Sequence, residues 1–273
     1  MSTDRYAVIG HPVGHSRSPF IHAQFARQLA QSLEYSALDV PPARLADSVR
    51  SFFDEDGKGL NVTVPHKVAA LALCHQLSER ATRAGSVNTL LMVNGALTGD
   101  NTDGVGLVRD LARLQWPLHG KRVLLLGAGG AARGVLAPLL ELAPRTLHIA
   151  NRTSARAEEL VGEFSGVARV HGVTMQIAPA TGEYDVVING TAASMAGGLP
   201  QLPEGALDAR PRCYDMAYGR GDTAFVRAAR AAGATAVMGT GMLIEQAAEA
   251  FFLWRGVRPD TAPVLAALER ELA

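Results

Sequence analysis

Cysteine is scarce: Cys74 and Cys213 are the two in 273 residues. Far apart and in no CxxC pair, they exclude a disulfide framework and a zinc knuckle, and read as two buried thiols of a reducing compartment. An excess of one charge is missing too. Lys+Arg and Asp+Glu both number 26, with no long block of either sign, so the electrostatic footprint of a nucleic-acid binder is absent. No apolar run is long enough to cross a bilayer, and MSTDRYAVIG lacks the basic segment, apolar stretch and cleavage site of a signal peptide. The expectation is a cytoplasmic protein whose partner is a small molecule, not a nucleic acid or a membrane. What is present is ordinary globular material: 48% hydrophobic and 19% charged residues, in a chain long enough for two domains.

Short apolar runs alternate with helical patterns for most of the length. RYAVIG (5–10), YSALDV (35–40) and GLNVTVP (59–65) are separated by helix-like segments, which predicts βαβ units and a mostly parallel sheet. NTLLMV and ALTGDN flank Asn94-Gly95, the pair preferred in a type I′ hairpin, so the first sheet is expected to end in antiparallel pairing. After the helical stretch 104–114 a second series begins: RVLLLG (122–127), TLHIANR (146–152), YDVVING (184–190), CYDMAY (213–218) and TAVMG (235–239). The fold class predicted is α/β with two domains, the second a Rossmann-like doubly wound sheet. The boundary falls near Asp103. The segments 242–254 and 262–273 are helical, with no further strand, and are expected to pack back on the first domain.

VLLLGAGGAARG places Gly127, Gly129 and Ala132 in a G-x-G-x-x-A arrangement directly after a buried strand and before a helix. The first glycine permits the tight turn, the second lets backbone approach a pyrophosphate, and the small third residue allows close helix–strand packing. A Gly-rich turn that serves packing alone is the other reading. The second strand ends Asn151-Arg152-Thr153, with Arg156 beyond, where NAD sites usually carry a carboxylate. Two guanidiniums and a hydroxyl suit an adenosine 2′-phosphate, which favours NADP, although basic residues at a helix start are also ordinary solvated side chains.

The first domain carries a polar cluster. Asn61 and Thr63 share one face of the strand GLNVTVPHK, and Pro65 should end regular pairing before Lys67. Ser16 and Ser18 sit in the Gly/Pro-punctuated segment GHPVGHSRSP after the first strand, where open α/β sheets usually bind ligands. Asn88 and Asp103 follow in SVNTLL and DNTDGVG. Singly each also reads as a cap or turn former; together they describe a site for a polyhydroxylated, carboxylated small molecule.

The motifs HSRSP, NVTVPHK, AGSVNT, GDNTDGVG, GAGGAARG, NRTSAR, YDMAY and GML-EQA occur over nearly the whole chain, in the order found in the shikimate dehydrogenase family, which this sequence resembles. The resemblance implies an enzyme that reversibly reduces 3-dehydroshikimate to shikimate with NADPH. It implies Lys67 and Asp103 as the catalytic pair, and Ser16, Ser18, Asn61, Thr63, Asn88, Tyr218 and Gln246 as substrate ligands. It also implies a cofactor site lined by Gly127, Ala128, Gly129, Gly130, Ala131, Asn151, Arg152, Thr153, Arg156, Met216 and Gly239. Residues 1–103 plus 240–273 would form the substrate domain and 104–239 the NADP domain, in a monomer or homodimer. The chemistry is coherent: reducing a ring ketone puts negative charge on oxygen, and a lysine ammonium oriented by a carboxylate is suited to protonate it.

The sequence departs from the family pattern where NATSxG reads Asn189-Gly190-Thr191-Ala192-Ala193-Ser194 and DGLGML reads 238–243 as MGTGML. Both stretches lie on the cofactor side. His11, His15 and His22 invite a metal reading, but Pro12 and Gly14 spoil helical spacing between the first two, and no metal is expected. Two alternatives stand beside the main reading: a broader quinate/shikimate dehydrogenase, and a non-catalytic NADP-binding regulator.

Overall fold

The computed structural model describes residues 3–272. Residues 1, 2 and 273, at the limits of the predicted substrate domain, lie outside the described residues. The chain divides into two compact units, residues 1–106 with 244–268 and residues 107–243 with 269–273.

In the first unit the apolar runs become β1 (Asp4–Gly10), β2 (Leu33–Asp39) and β3 (Gly57–Val62), followed by the short β4 (Gln76–Leu77), β5 (Thr89–Val93) and β6 (Ala96–Asp100). The sheet order is β2-β1-β3-β5-β6-β4. β1 runs parallel to β2 and β3, whereas β3–β5 and β5–β6 are antiparallel. Asn94 and Gly95 both have positive φ at the β5–β6 turn, as a type I′ turn requires. β4, which the sequence pattern did not disclose, closes the edge by pairing parallel to β6 over two residues. Helices α1 (Ser18–Gln28), α2 (Leu45–Asp54) and α3 (Glu79–Ala84) connect these strands. Ala7, Ile9, Leu60, Val62 and Leu90 from the sheet meet Val49 and Phe52 of α2 in one buried cluster.

α4 (Asp103–Arg113) leads into the second series: β7 (Arg122–Leu126), α5 (Gly130–Glu141), β8 (Thr146–Ala150), α6 (Ser154–Val170), β9 (Thr174–Ile177), β10 (Val186–Asn189), β11 (Arg212–Asp215), α7 (Ala224–Ala231) and β12 (Thr235–Met238). All six strands are parallel in the order β12-β11-β10-β7-β8-β9. This is the doubly wound arrangement. Val123 and Leu125 pack with α5 and α6 on one face, while Leu124 and Leu126 pack with Phe225 and Val226 of α7 on the other. Burial on both faces explains why β7 and β10 read as unbroken apolar runs. β9 escaped the sequence reading because it is a largely exposed edge strand with no apolar alternation.

The chain ends in α8 (Thr240–Arg255) and α9 (Thr261–Leu272). Residues 244–268 belong to the first unit, as expected of helices returning to the first domain. Trp254 Nε1 donates to Leu90 O at 3.1 Å, and Arg255 pairs with Asp4 and Gln31. Beneath α8 the His22 ring stacks on Tyr35 with centroids 4.2 Å apart and packs against Phe25, Phe251 and Trp254. His22 is 1% exposed, and burial holds its imidazole at about 3, far below the ordinary 6.5. The unfolded chain takes up this proton near pH 6.5, and the folded chain does so only near 3. Stability is therefore lost as pH falls through that interval, by about 1.4 kcal/mol per unit from this residue. Denaturant unfolding at pH 7 and pH 5 should show the wild type losing about 2 kcal/mol more than His22→Phe. Equal losses would show that the imidazole titrates alike in both states.

Candidate active site

In the first unit the chain runs from β1 to β2 on one side and then returns to β3 on the other. A topological switch point therefore lies between β1 and β3, where open α/β sheets leave a crevice beyond the strand ends. Ser16 and Ser18 follow β1; Thr63 and Lys67 follow β3. The Ser16 N–H donates to Val13 O, Ser16 Oγ accepts from the Ser18 N–H at 3.3 Å, and Ser18 opens α1. Thr63 donates its N–H to Ile9 O, which ties the end of β3 to β1.

The turn that carries Lys67 is fixed from both sides. His66 is buried, donates its N–H to Thr63 O, and has Nε2 2.7 Å from Val40 O. Lys67 O accepts from Val87 N at 2.8 Å, which brings the lysine beside the segment bearing Asn88. Lys67 Nζ donates to Asp103 Oδ2 at 2.5 Å, with the lysine side chain 14% and the aspartate side chain 5% exposed. Asn88 Nδ2 donates to Asp103 Oδ1 and to Thr102 Oγ1, both at 2.9 Å, while Asn88 Oδ1 accepts from Thr102 N. Asp103 N–H donates to Asn101 Oδ1, and Asn101 Nδ2 is held by Ser86. Asp103 also opens α4, where a carboxylate is favoured by the helix dipole. The pair is thus largely withdrawn from water, which strengthens its attraction and makes its geometry costly to disturb.

Gln246 of α8 joins this cluster, its Oε1 3.4 Å from both Asn88 Nδ2 and Thr102 Oγ1. Asn61 stands differently. Its Nδ2 donates to Asn88 O and Thr89 Oγ1, and its Oδ1 accepts from the Tyr35 hydroxyl at 2.7 Å. Both amide protons are used inside the protein, so the side chain supports Asn88 directly. Tyr218 belongs to the second unit, half-buried in the loop after β11.

The second unit has its own switch point, between β7 and β10. Gly127 there has φ +105°, and a Cβ on it would lie 3.2 Å from the Gly190 backbone, so the turn requires glycine. Gly129 precedes the first turn of α5, whose Ala132 is fully buried against the sheet. A cavity of about 580 Å³ opens at this point, lined by Gly127, Ala128, Gly129, Asn151, Arg152, Thr153 and Arg156 among others. Asn151 Nδ2 donates to Thr153 O, which shapes the start of α6. Gly130, Ala131, Met216 and Gly239 are not part of this lining. Met216 N–H donates to Asn189 O, and a Cβ on Gly239 would fall 2.7 Å from Met216 O, so these two pack together at the ends of β11 and β12. The far wall is Thr191 to Ala193, from the stretch the sequence placed on the cofactor side, together with Leu199 to Gln201, which sequence reasoning missed. Its signal was present as Gly197-Gly198-Leu199-Pro200 punctuation, which predicts a loop without saying where it folds.

Among the described residues the lining contains two exposed guanidiniums, no carboxylate, and the N-cap of a twelve-residue helix. That donor set fits a pyrophosphate and a further phosphate on the adenosine ribose. A glycine loop at the switch point of a doubly wound sheet defines an α/β dinucleotide-binding protein. Comparison with known proteins narrows the class. The model of the shikimate dehydrogenase substrate binding domain matches residues 8–90, that of shikimate / quinate 5-dehydrogenase residues 110–197, and that of the shikimate 5′-dehydrogenase C-terminal domain residues 239–269. The chain is 55% identical to a shikimate dehydrogenase (NADP(+)) of Alkalilimnicola ehrlichii, covering 98% of this chain and 100% of that protein. Among solved structures it resembles an Ael1 enzyme from Pseudomonas putida, with TM-score 0.88, 44% identity and coverage of 97% and 98%. It also resembles shikimate 5-dehydrogenase from Thermus thermophilus in complex with NADP(H) and shikimate, with TM-score 0.85, 34% identity and coverage of 98% and 99%. The chain belongs to the shikimate dehydrogenase family.

Proposed function

We propose that this protein catalyses the reversible NADPH-dependent reduction of 3-dehydroshikimate to shikimate, with Lys67 as the general acid and Asp103 as its partner. The observation that carries this reading is the Lys67–Asp103 contact at 2.5 Å, nearly buried and braced by Asn88. When bound, NADPH supplies the hydride. As negative charge develops on the ketone oxygen, the Lys67 ammonium donates its proton there, and Asp103 fixes the direction of the remaining N–H bonds. In the oxidative direction Lys67 receives the hydroxyl proton. Ser16 and Ser18 are suited to the substrate carboxylate, and Thr63, Asn88 and Gln246 to its hydroxyls, with Asn61 acting through Asn88.

Residues 1–103 plus 240–273 serve as the substrate domain in this reading and 104–239 as the NADP domain. Gly127 to Ala131, Asn151 to Thr153, Arg156, Met216 and Gly239 hold the cofactor. The enzyme works in the cytoplasm as a monomer or homodimer. The shikimate / quinate match over 110–197 supports a second reading with broader substrate range. NADPH oxidation with 3-dehydroshikimate and 3-dehydroquinate in parallel separates the two. Turnover confined to 3-dehydroshikimate is expected; comparable turnover of both establishes the broader enzyme, and none with either leaves an NADP-binding protein without this activity.

A further inference from the structure

Asp215, the last residue of β11, is fully buried. Among the described residues no cation lies within ion-pair distance of its carboxylate, yet four donors converge on it. Oδ1 accepts from Asn189 Nδ2 at 2.9 Å and from the Ala217 N–H at 3.1 Å. Oδ2 accepts from Ser194 Oγ and Thr223 Oγ1, each at 2.6 Å. Three chain segments thus meet on one side chain: the end of β10 with the turn after it, the Met216 strand end, and the N-cap of α7.

This carboxylate also sets a direction. An ionised carboxylate accepts and never donates, so Asn189 must turn its amide nitrogen toward Asp215. Its carbonyl oxygen is thereby aimed the other way, where it accepts from the Thr191 N–H at 3.1 Å and the Thr191 hydroxyl at 2.8 Å. Thr191 Oγ1 in turn accepts from the Ala193 N–H at 3.3 Å. Thr191, Ala192 and Ala193 are the wall of the 580 Å³ cavity that faces Gly127. Asn189 O accepts from Met216 N, so the same frame holds that residue too.

We propose that Asp215 is a positioning residue for the cofactor: by locking the Asn189 amide in one orientation, it holds the Thr191–Ala193 wall and Met216 in the geometry that binds NADPH. This rests on the function proposed above and adds a residue that does not itself line the cavity. Asp215→Leu keeps the branched four-atom shape, with more bulk, and removes every acceptor, so the Asn189 amide loses its orientation. Asp215→Asn keeps one acceptor oxygen for Asn189 and Ala217. Ser194→Ala removes two hydrogen bonds, the one to Asp215 Oδ2 and the one Ser194 Oγ accepts from Asn189 Nδ2, at a half-buried position, and guards against failure of the leucine variant to fold.

The readout is NADPH affinity by fluorescence titration, well below the unfolding temperature, beside the KM for shikimate. We expect Kd for NADPH to rise at least tenfold in Asp215→Leu and two- to fivefold in Ser194→Ala. Asp215→Asn should recover most of the loss, and the shikimate KM at saturating cofactor should move less than twofold throughout. Unchanged NADPH affinity in Ser194→Ala and in folded Asp215→Leu overturns the proposal, as does an equal loss for shikimate. Absence of NADPH binding by the unsubstituted chain overturns the functional reading itself.

Discussion

Lys67→Ala is expected to lower kcat by ~10² to 10⁴, the usual range for a positioned acid or base, with a smaller change in KM. The expectation follows from where the ammonium stands. Its Nζ is 2.5 Å from Asp103 Oδ2, on a turn pinned by His66 and by Val87, which fixes the direction in which the proton is delivered. The substitution also strips a buried carboxylate of its cation. Asn88 still donates to Asp103 Oδ1, so the loss of stability should stay within about 1–3 kcal/mol. Rates must therefore be compared at a temperature where both proteins are folded. A variant that retains near-normal kcat would show that Lys67 does not supply the proton.

Arg152→Asp should raise the KM for NADPH by roughly 10²-fold or more and shift preference toward NADH. Each charge-assisted hydrogen bond to a phosphate is worth about 1.5–3 kcal/mol, and a carboxylate in the same place adds repulsion while accepting from a ribose hydroxyl. The structure makes this a test of one residue. Arg152 and Arg156 are both exposed on the cavity lining, and among the described residues neither has an ion-pair partner that would divert it. Arg156 remains in the variant, so some NADPH binding should persist, and substrate KM should change little. An unaltered NADPH/NADH ratio would mean that Arg152 points away from the phosphate.

Much of this protein was legible without coordinates, for identifiable reasons. β7 and β10 are buried on both faces, so burial wrote their positions into the sequence as apolar runs, and β8 is buried at alternate residues, Leu147 and Ile149. Asn94-Gly95 announced its hairpin because few residue pairs tolerate two successive positive φ angles. Gly127 was legible for the same kind of reason: a local steric demand leaves one residue type. The exposed edge β9 and the two-residue β4 place no such demand on composition and went unseen.

The sequence by itself determined the α/β class, the glycine loop, the basic end of β8 and the family motifs that nominate Lys67 and Asp103, because each is a local pattern of burial, turn geometry or charge. The tertiary structure decided which polar groups meet. Lys67 and Asp103 are 36 positions apart, and Asn88 and Gln246 are 158 apart; strand order and the return of α8 bring them within reach. Tertiary structure alone turned Asn61 inward to Asn88, folded Leu199 to Gln201 onto the cavity, and gathered four donors on Asp215. Hydrogen bonding is directional and short-ranged, so its partners are fixed by the packing of distant segments, to which the periodicity of any one segment is blind.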